Sequence, residues 1–173
     1  MDWNHLPKVE LHLHLDCSLS FEVVRAICPE MDEQAYREAF IAPPKCTDLA
    51  DFLRKAINGI LLMQTRENLR LVTLDLLRQL EREGVIYAEI RFAPLEHLRE
   101  GLHPEDVVET VLDALEEGVG ETGVEAGLLL CTLRHYAPWQ SMETARLVQR
   151  FRGTRVVGFD IASDEANYPI DAH

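Results

Sequence analysis

The sequence predicts an α/β fold in which about four parallel strands alternate with helices. Three observations predict it. A strictly alternating segment occupies residues 8–16. Strand-like runs begin near residues 8, 85, 124 and 155. Helical segments opened by proline or closed by glycine separate the later runs. Those later strands start roughly 30–40 residues apart, the length of a strand–helix–strand crossover. This order predicts parallel strands with right-handed connections.

Across residues 8–16, Val9, Leu11, Leu13 and Leu15 share one face, and Lys8, Glu10, His12, His14 and Asp16 share the other. A period of two marks a strand. Its leucines are expected to meet helices, and its polar groups to gather at a site. A helical insertion follows, preceded by a turn at Pro43 and Pro44. Thr47 is placed to cap a helix and Asp48 suits its positive start. Leu49, Phe52, Leu53, Ala56, Ile57, Ile60 and Leu61 then form an apolar stripe. A second helix is expected over about residues 66–83, with Leu69, Val72, Leu76 and Leu80 inward and Gly84 past its end.

Residues 85–92 are β-branched and aromatic and read as the next strand. Pro104 opens a helix with Glu105 and Asp106 in its first turn and Val107, Val108, Val111, Leu112 and Leu115 for the core. Residues 124–132 form a third strand, whose apolar run 128–131 fits burial on both faces. Pro138 opens a helix with Met142, Ala145, Val148 and Phe151 inward, closed by Gly153. Residues 155–162 form the fourth strand, and residues 170–173 read as the start of another helix. Four units make half a barrel or a small open sheet, with residues 1–173 as one unit and no second domain.

At 173 residues the chain can bury a sizeable core, but it is short of the about 250 residues of a complete eight-unit barrel. With 17 basic and 30 acidic residues the net charge is −13, which repels phosphate backbones and argues against nucleic-acid binding. Cys17, Cys28, Cys46 and Cys131 form no C-x-x-C pair. That excludes zinc ribbons, thioredoxin-like sites and the deaminases built on H-x-E with P-C-x-x-C. Asp2, His5, Lys8 and Glu10 interrupt the N-terminus, so no signal peptide is read there. Apolar runs such as residues 60–63 are too short to span a membrane. The expectation is a cytoplasmic chain with reduced thiols.

The sharpest chemical signal is His12-Leu13-His14. Imidazoles two residues apart on a strand share a face and can share a metal ion; a pair of hydrogen-bonded or surface histidines is the plainer alternative. The end of a first barrel strand favours the metal, because barrel chemistry gathers at strand C-termini. Asp16 continues that face and can orient a substrate. Glu89 and Arg91 alternate onto one face and are expected to form an internal ion pair. Asp160 is placed either to hold metal ligands from behind or to satisfy backbone donors. Arg134 and His135 follow the third strand and are placed either to face the active-site side or, the plainer reading, to form a solvated loop; His5, His97 and His103 read as surface groups, and Cys17 as a buried inert thiol, with reaction of a metal-stabilised thiolate as the alternative.

Residues 6–16, LPKVELHLHLD, closely resemble the opening of the adenosine deaminase family. Residues 88–94, AEIRFAP, resemble its second-strand segment, and residues 157–165, VGFDIASDE, its fourth-strand segment. The matches occur in family order over essentially the whole chain. The resemblance implies an incomplete (β/α) barrel of the TIM type, the N-terminal half only, with Zn2+ at the C-terminal end of the strands. It implies His12 and His14 as zinc ligands, Asp16 holding a hydroxyl of the substrate sugar, His14 also near the substrate, and Ser163 near the purine ring. Cys17 and Ser163 stand where the family usually has glycine. The family's third zinc histidine, general-acid glutamate, further histidine and aspartate pair come from later strands, so no residue here is assigned to acid catalysis, and His173 is not recruited as a ligand.

The leading expectation is therefore zinc-dependent hydrolytic deamination of adenosine or deoxyadenosine, with the isolated chain inactive and no nucleic-acid or membrane partner. Adenine or aminodeoxyfutalosine as substrate, a metal-dependent phosphoesterase, and a non-catalytic fragment are the alternatives. Open first and fourth strands are expected to favour self-association.

Overall fold

A computed structural model describes residues 6–46 and 48–172. His5, Thr47 and His173 lie outside them, as do the side chains of Leu49 and Phe52. The expected strands form one parallel sheet in the order β1 (Lys8–His14), β2 (Val85–Phe92), β3 (Glu125–Leu133), β4 (Val156–Ala162). The insertion between β1 and β2 contains α1 (Phe21–Ile27), α2 (Glu33–Phe40), α3 (Leu49–Leu62) and α4 (Arg66–Arg82). Single helices, α5 (Pro104–Thr122) and α6 (Pro138–Arg150), make the other two crossovers. The result is the strand–helix succession of a (β/α) barrel, half built, with β1 and β4 at its edges.

Local chemistry sets the boundaries. Ser20 caps α1 by accepting from the Val23 N–H, and Asp32 caps α2 through Ala35. Thr65 caps α4 by accepting from Asn68. Gly84, at φ 74°, reverses the chain into β2, a left-handed conformation that suits glycine. The alternating segment ends as a strand at His14, two residues earlier than its pattern implies. Leu15–Cys17 is instead a 3₁₀ turn that carries Asp16. Strict alternation is also interrupted within β1. Val9 lies beside Tyr87 and Leu13 beside Ile90, so four residues of one strand run against three of the other.

The core fills the space between the sheet and its helices. Ala88, Ile90, Phe92, Ala126, Leu128 and Leu130 pack with Leu69, Val72, Leu77, Val108, Val111 and Leu115. A fully buried leucine contributes about 2–3 kcal/mol. At the crossing of α4 and α5, a side chain on Gly118 would stand 2.6 Å from Leu77 Cδ1, so glycine sets how closely these helices approach. Among the described residues, no helix is long and apolar enough to cross a membrane.

Four expectations about burial are corrected. Val9 and Leu11 are exposed rather than covered by helices, because β1 is an edge strand. The inward face of α6 is Ser141, Thr144, Leu147 and Phe151, while Met142 is exposed. The face is set by a 2.7 Å hydrogen bond between Ser141 and Thr132 of β3. Ile57 and Leu61 of α3 are exposed, so that stripe is not buried in the core. His97 is not a surface group but is fully buried. Its Nδ1 lies 2.9 Å from the Met63 carbonyl and its ring against Phe92.

Burial holds the His97 pKa down at about 4, from 6.5. The unfolded chain therefore takes up this proton before the folded one. The stabilisation is complete above pH 6.5 and is lost as pH falls toward 4, to the extent of about 3 kcal/mol. Urea unfolding across that window should show a His97→Gln variant losing less stability on acidification than the parent. Equal losses in both would show that His97 is not held neutral.

Candidate active site

The site starts where β1 ends. The His12 and His14 rings lie 5.4 Å apart, centre to centre, at 45°. Two imidazoles that ligate one zinc at tetrahedral geometry place their centres about 5 Å apart, so the pair fits a shared ion. Beside them, Arg91 of β2 pairs with Asp160 of β4 at 2.7 Å. The same guanidinium nitrogen lies 3.1 Å from His12 Nε2 and 3.3 Å from His12 Nδ1. The strands explain this grouping, since His14 lies beside Arg91, and Cys131 of β3 beside Asp160. Asp160 offsets the Arg91 charge that would otherwise oppose a second cation next to His12. His14 has its pKa lowered, chiefly by burial and then by Arg91 and His12, against the pull of Asp160. A neutral imidazole is the form that ligates metals.

The turn after β1 carries the next group. Asp16 is buried, with Oδ1 3.8 Å from His14 Nδ1 and 3.5 Å from the Cys17 sulfur. Burial pushes its pKa up to about 6, and the hydrogen bond from the Cys17 thiol opposes the shift. Desolvation of its sulfur, and then the Asp16 charge, push the Cys17 thiol far above its ordinary range, although the residue is exposed rather than buried as expected. His14, Asp16 and Cys17 offer ligand atoms within 4.8 Å of one another. His12 is outside this tighter group.

A cavity of about 400 Å³ opens over His14 and Asp16, with Phe92, Glu96, Cys131, His135 and Ser163 on its wall. This is the size of a small-molecule site. Leu53, Ile57 and Ile60 of α3 line it too, so the apolar stripe of that helix faces the cavity. Gly59 lets α3 come this close, because a Cβ there would fall 2.0 Å from the Asp16 carbonyl oxygen. Ser163 stands at the end of β4 with φ 92°, the only non-glycine among the described residues at positive φ. Holding a serine there costs about 1–2 kcal/mol, and strain of this kind gathers at functional sites.

The geometry thus brings His14, Asp16 and Ser163 to one cavity and sets His12 and Asp160 beside Arg91. The expected Glu89–Arg91 ion pair does not form: Arg91 reaches Asp160, and Glu89 accepts from the Tyr87 hydroxyl at 3.3 Å. The arginine side chain is long enough to cross β3 and reach the carboxylate on β4. Sequence reasoning missed Glu96, whose carboxylate accepts from Tyr136 at 2.6 Å. His135, placed by its position after the third strand either on the active-site side or in a solvated loop, is exposed and lines the cavity. Glu96 had no local signal, because only the strand order brings these loops together.

The model of the adenosine deaminase family matches residues 7–173. The chain belongs to the adenosine deaminase family. It is 39% identical over 170 residues to an adenosine deaminase of Enterococcus faecalis, covering 95% of this chain and 50% of the relative. Among solved structures, an adenine deaminase from Arthrobacter aurescens is similar with a TM-score of 0.80 and 26% identity, covering 94% of this chain and 50% of that one. An amidohydrolase from Burkholderia ambifaria with bound Zn shares the fold at TM-score 0.86 and 19% identity, covering 98% of this chain and 48% of that one. This family chain spans about half the length of the curated relatives it matches. Its strands accordingly make an incomplete barrel of the TIM type, and its family is one of hydrolases acting on C–N bonds.

Gly59 gives a direct test of the cavity roof. Gly59→Ala should lower stability by about 1–3 kcal/mol through overpacking against the Asp16 turn, measured by urea unfolding. Unchanged stability would mean that α3 does not sit against Asp16.

Proposed function

We propose that residues 1–173 form the N-terminal half of a zinc-dependent deaminase barrel acting on adenosine or deoxyadenosine. The observation that carries this reading is the pair of imidazoles at the end of β1, 5.4 Å apart, beside a cavity that also holds Asp16 and Ser163. His12 and His14 would hold the zinc. Bound zinc activates water near neutral pH for attack on the aminated purine carbon. His14 and Asp16 face the sugar, with the Asp16 carboxylate accepting from a hydroxyl. Ser163 stands at the purine, and the apolar residues of α3 exclude water above it. Asp160 keeps Arg91 from displacing the ion at His12.

Two histidines fall short of the three protein ligands usual in a hydrolytic zinc site, and none of these residues is placed to protonate the leaving ammonia. The remaining groups are assigned to the part of the barrel that pairs with the open edges of β1 and β4. Exposed Val9, Leu11, Val157 and Phe159 on those strands support that pairing, and support self-association of the chain when it is alone. The free cysteines among the described residues suit a cytoplasmic setting. Adenine is the second reading for substrate, favoured by the likeness to the Arthrobacter aurescens enzyme. The family match weighs against the phosphoesterase alternative.

The test is ammonia release from adenosine by zinc-loaded protein. A polypeptide extended through the rest of the barrel should turn over, and residues 1–173 alone should not. In the extended protein, His12→Ala/His14→Ala should lower retained zinc and reduce turnover by more than about a hundredfold. Stoichiometric zinc that survives the double substitution would show that the ligands lie elsewhere. A folded, zinc-loaded extended protein active on adenine but not adenosine would transfer the assignment to the base.

A further inference from the structure

Glu96 lies on the wall of the cavity that holds His14 and Asp16. Its backbone is pinned in the 3₁₀ turn Pro94–His97 that follows β2. The Glu96 N–H donates to the Ala93 carbonyl at 3.0 Å, and its own carbonyl accepts from Gln64 Nε2 at 3.0 Å. The carboxylate is aimed as well. Its Oε1 accepts from the Tyr136 hydroxyl at 2.6 Å, and Tyr136, in the turn after β3, is buried. Burial, then the hydrogen bond and charge of Glu96, and then the charge of Asp16 raise the Tyr136 pKa far beyond its ordinary range. The hydroxyl therefore stays a donor, and Asp16 is near enough for its charge to be felt there.

A carboxylate accepts at both oxygens, and the half-buried Glu96 has one neutral donor and no ion pair among the described residues. It is outside the group of His14, Asp16 and Cys17 whose ligand atoms could hold an ion. Its second oxygen therefore suits a hydrogen-bond donor. A purine nucleoside offers donors at its amino group and at its sugar hydroxyls, and the nearness of Asp16 selects the sugar. We propose that Glu96 is a sugar-binding residue, its second carboxylate oxygen accepting from a ribose hydroxyl other than the one Asp16 holds, with Tyr136 as the residue that positions it. This rests on the nucleoside reading above and adds to it a residue that selects among sugars. The pinned turn and the Tyr136 hydroxyl serve that selection, because an acceptor discriminates best when its direction is fixed.

The probes are purine riboside, which has no 6-amino group to lose, and its 2′-deoxy, 3′-deoxy and 5′-deoxy forms. Titration calorimetry measures their binding to the zinc-loaded polypeptide extended through the rest of the barrel. Two of the deoxy forms should bind the parent about tenfold or more weakly, the worth of one hydrogen bond to a charged group each, one lost at Asp16 and one at Glu96. In Glu96→Leu one of these penalties should fall to about twofold or less while the other stays. Glu96→Gln, whose amide oxygen still accepts, should keep part of it. Tyr136→Phe, which leaves the carboxylate but not its aim, should reduce the same penalty and no other. A residue that served only the fold would weaken all four ligands alike, so equal losses in Glu96→Leu overturn the proposal, as do penalties that all survive that substitution. A parent with a single penalty, removed by Asp16→Ala and not by Glu96→Leu, overturns it too and leaves the nucleoside reading intact. A parent that binds all four ligands alike, or none of them, overturns both.

Discussion

Parallel pairing of β1, β2, β3 and β4 in chain order is the constraint on which everything else depends. Parallel strands deliver all their C-terminal ends to one edge of the sheet. His14, Phe92, Leu133 and Ala162 end their strands there, and all four line one cavity. The 2.7 Å pair between Arg91 and Asp160 ties β2 to β4 across β3. An ion pair this buried adds little net stability once desolvation is counted, but breaking it leaves a buried charge. Its consequence here is electrostatic, because Asp160 offsets the guanidinium charge that lies beside His12.

Much of the sheet was legible because strands and crossover helices carry strong periodic signals. Residues 85–92 form β2 as their composition predicts, and the buried face of α5 is the one its valines and leucines define. The errors have physical sources. Asp16 continues an alternating pattern, but pattern cannot show where pairing stops and a 3₁₀ turn begins. The short helices α1 and α2 were not read from the sequence, because neither carries a long apolar stripe. Met142 is apolar yet exposed, because a hydroxyl contact between Ser141 and Thr132 rotates α6. Polar burial of this kind leaves no hydrophobic period to read.

The candidate site divides the same way. His12 and His14 are neighbours in sequence and in space, so their partnership could be read directly. Asp160, Glu96 and His135 reach the site only through sheet order, and their partners lie 69, 40 and 28 residues away along the chain. Ser163 shows how the two levels combine. The family resemblance marks it as a departure from glycine, and the positive φ shows what that departure costs. Gly59 is the converse, a glycine hidden in a helical stripe whose reason appears only when Asp16 is found against it.

Two donor sets compete for the role of metal centre: the imidazoles of His12 and His14, and the tighter group of His14, Asp16 and Cys17. The 5.4 Å spacing of the two rings favours the imidazole pair. X-ray absorption at the zinc edge of the intact, zinc-loaded protein separates them. The account predicts nitrogen scatterers at about 2.0–2.1 Å with the outer-shell pattern of at least two imidazoles, weakened in His12→Ala. A sulfur scatterer at about 2.3 Å, or a spectrum unchanged by that substitution, would contradict it.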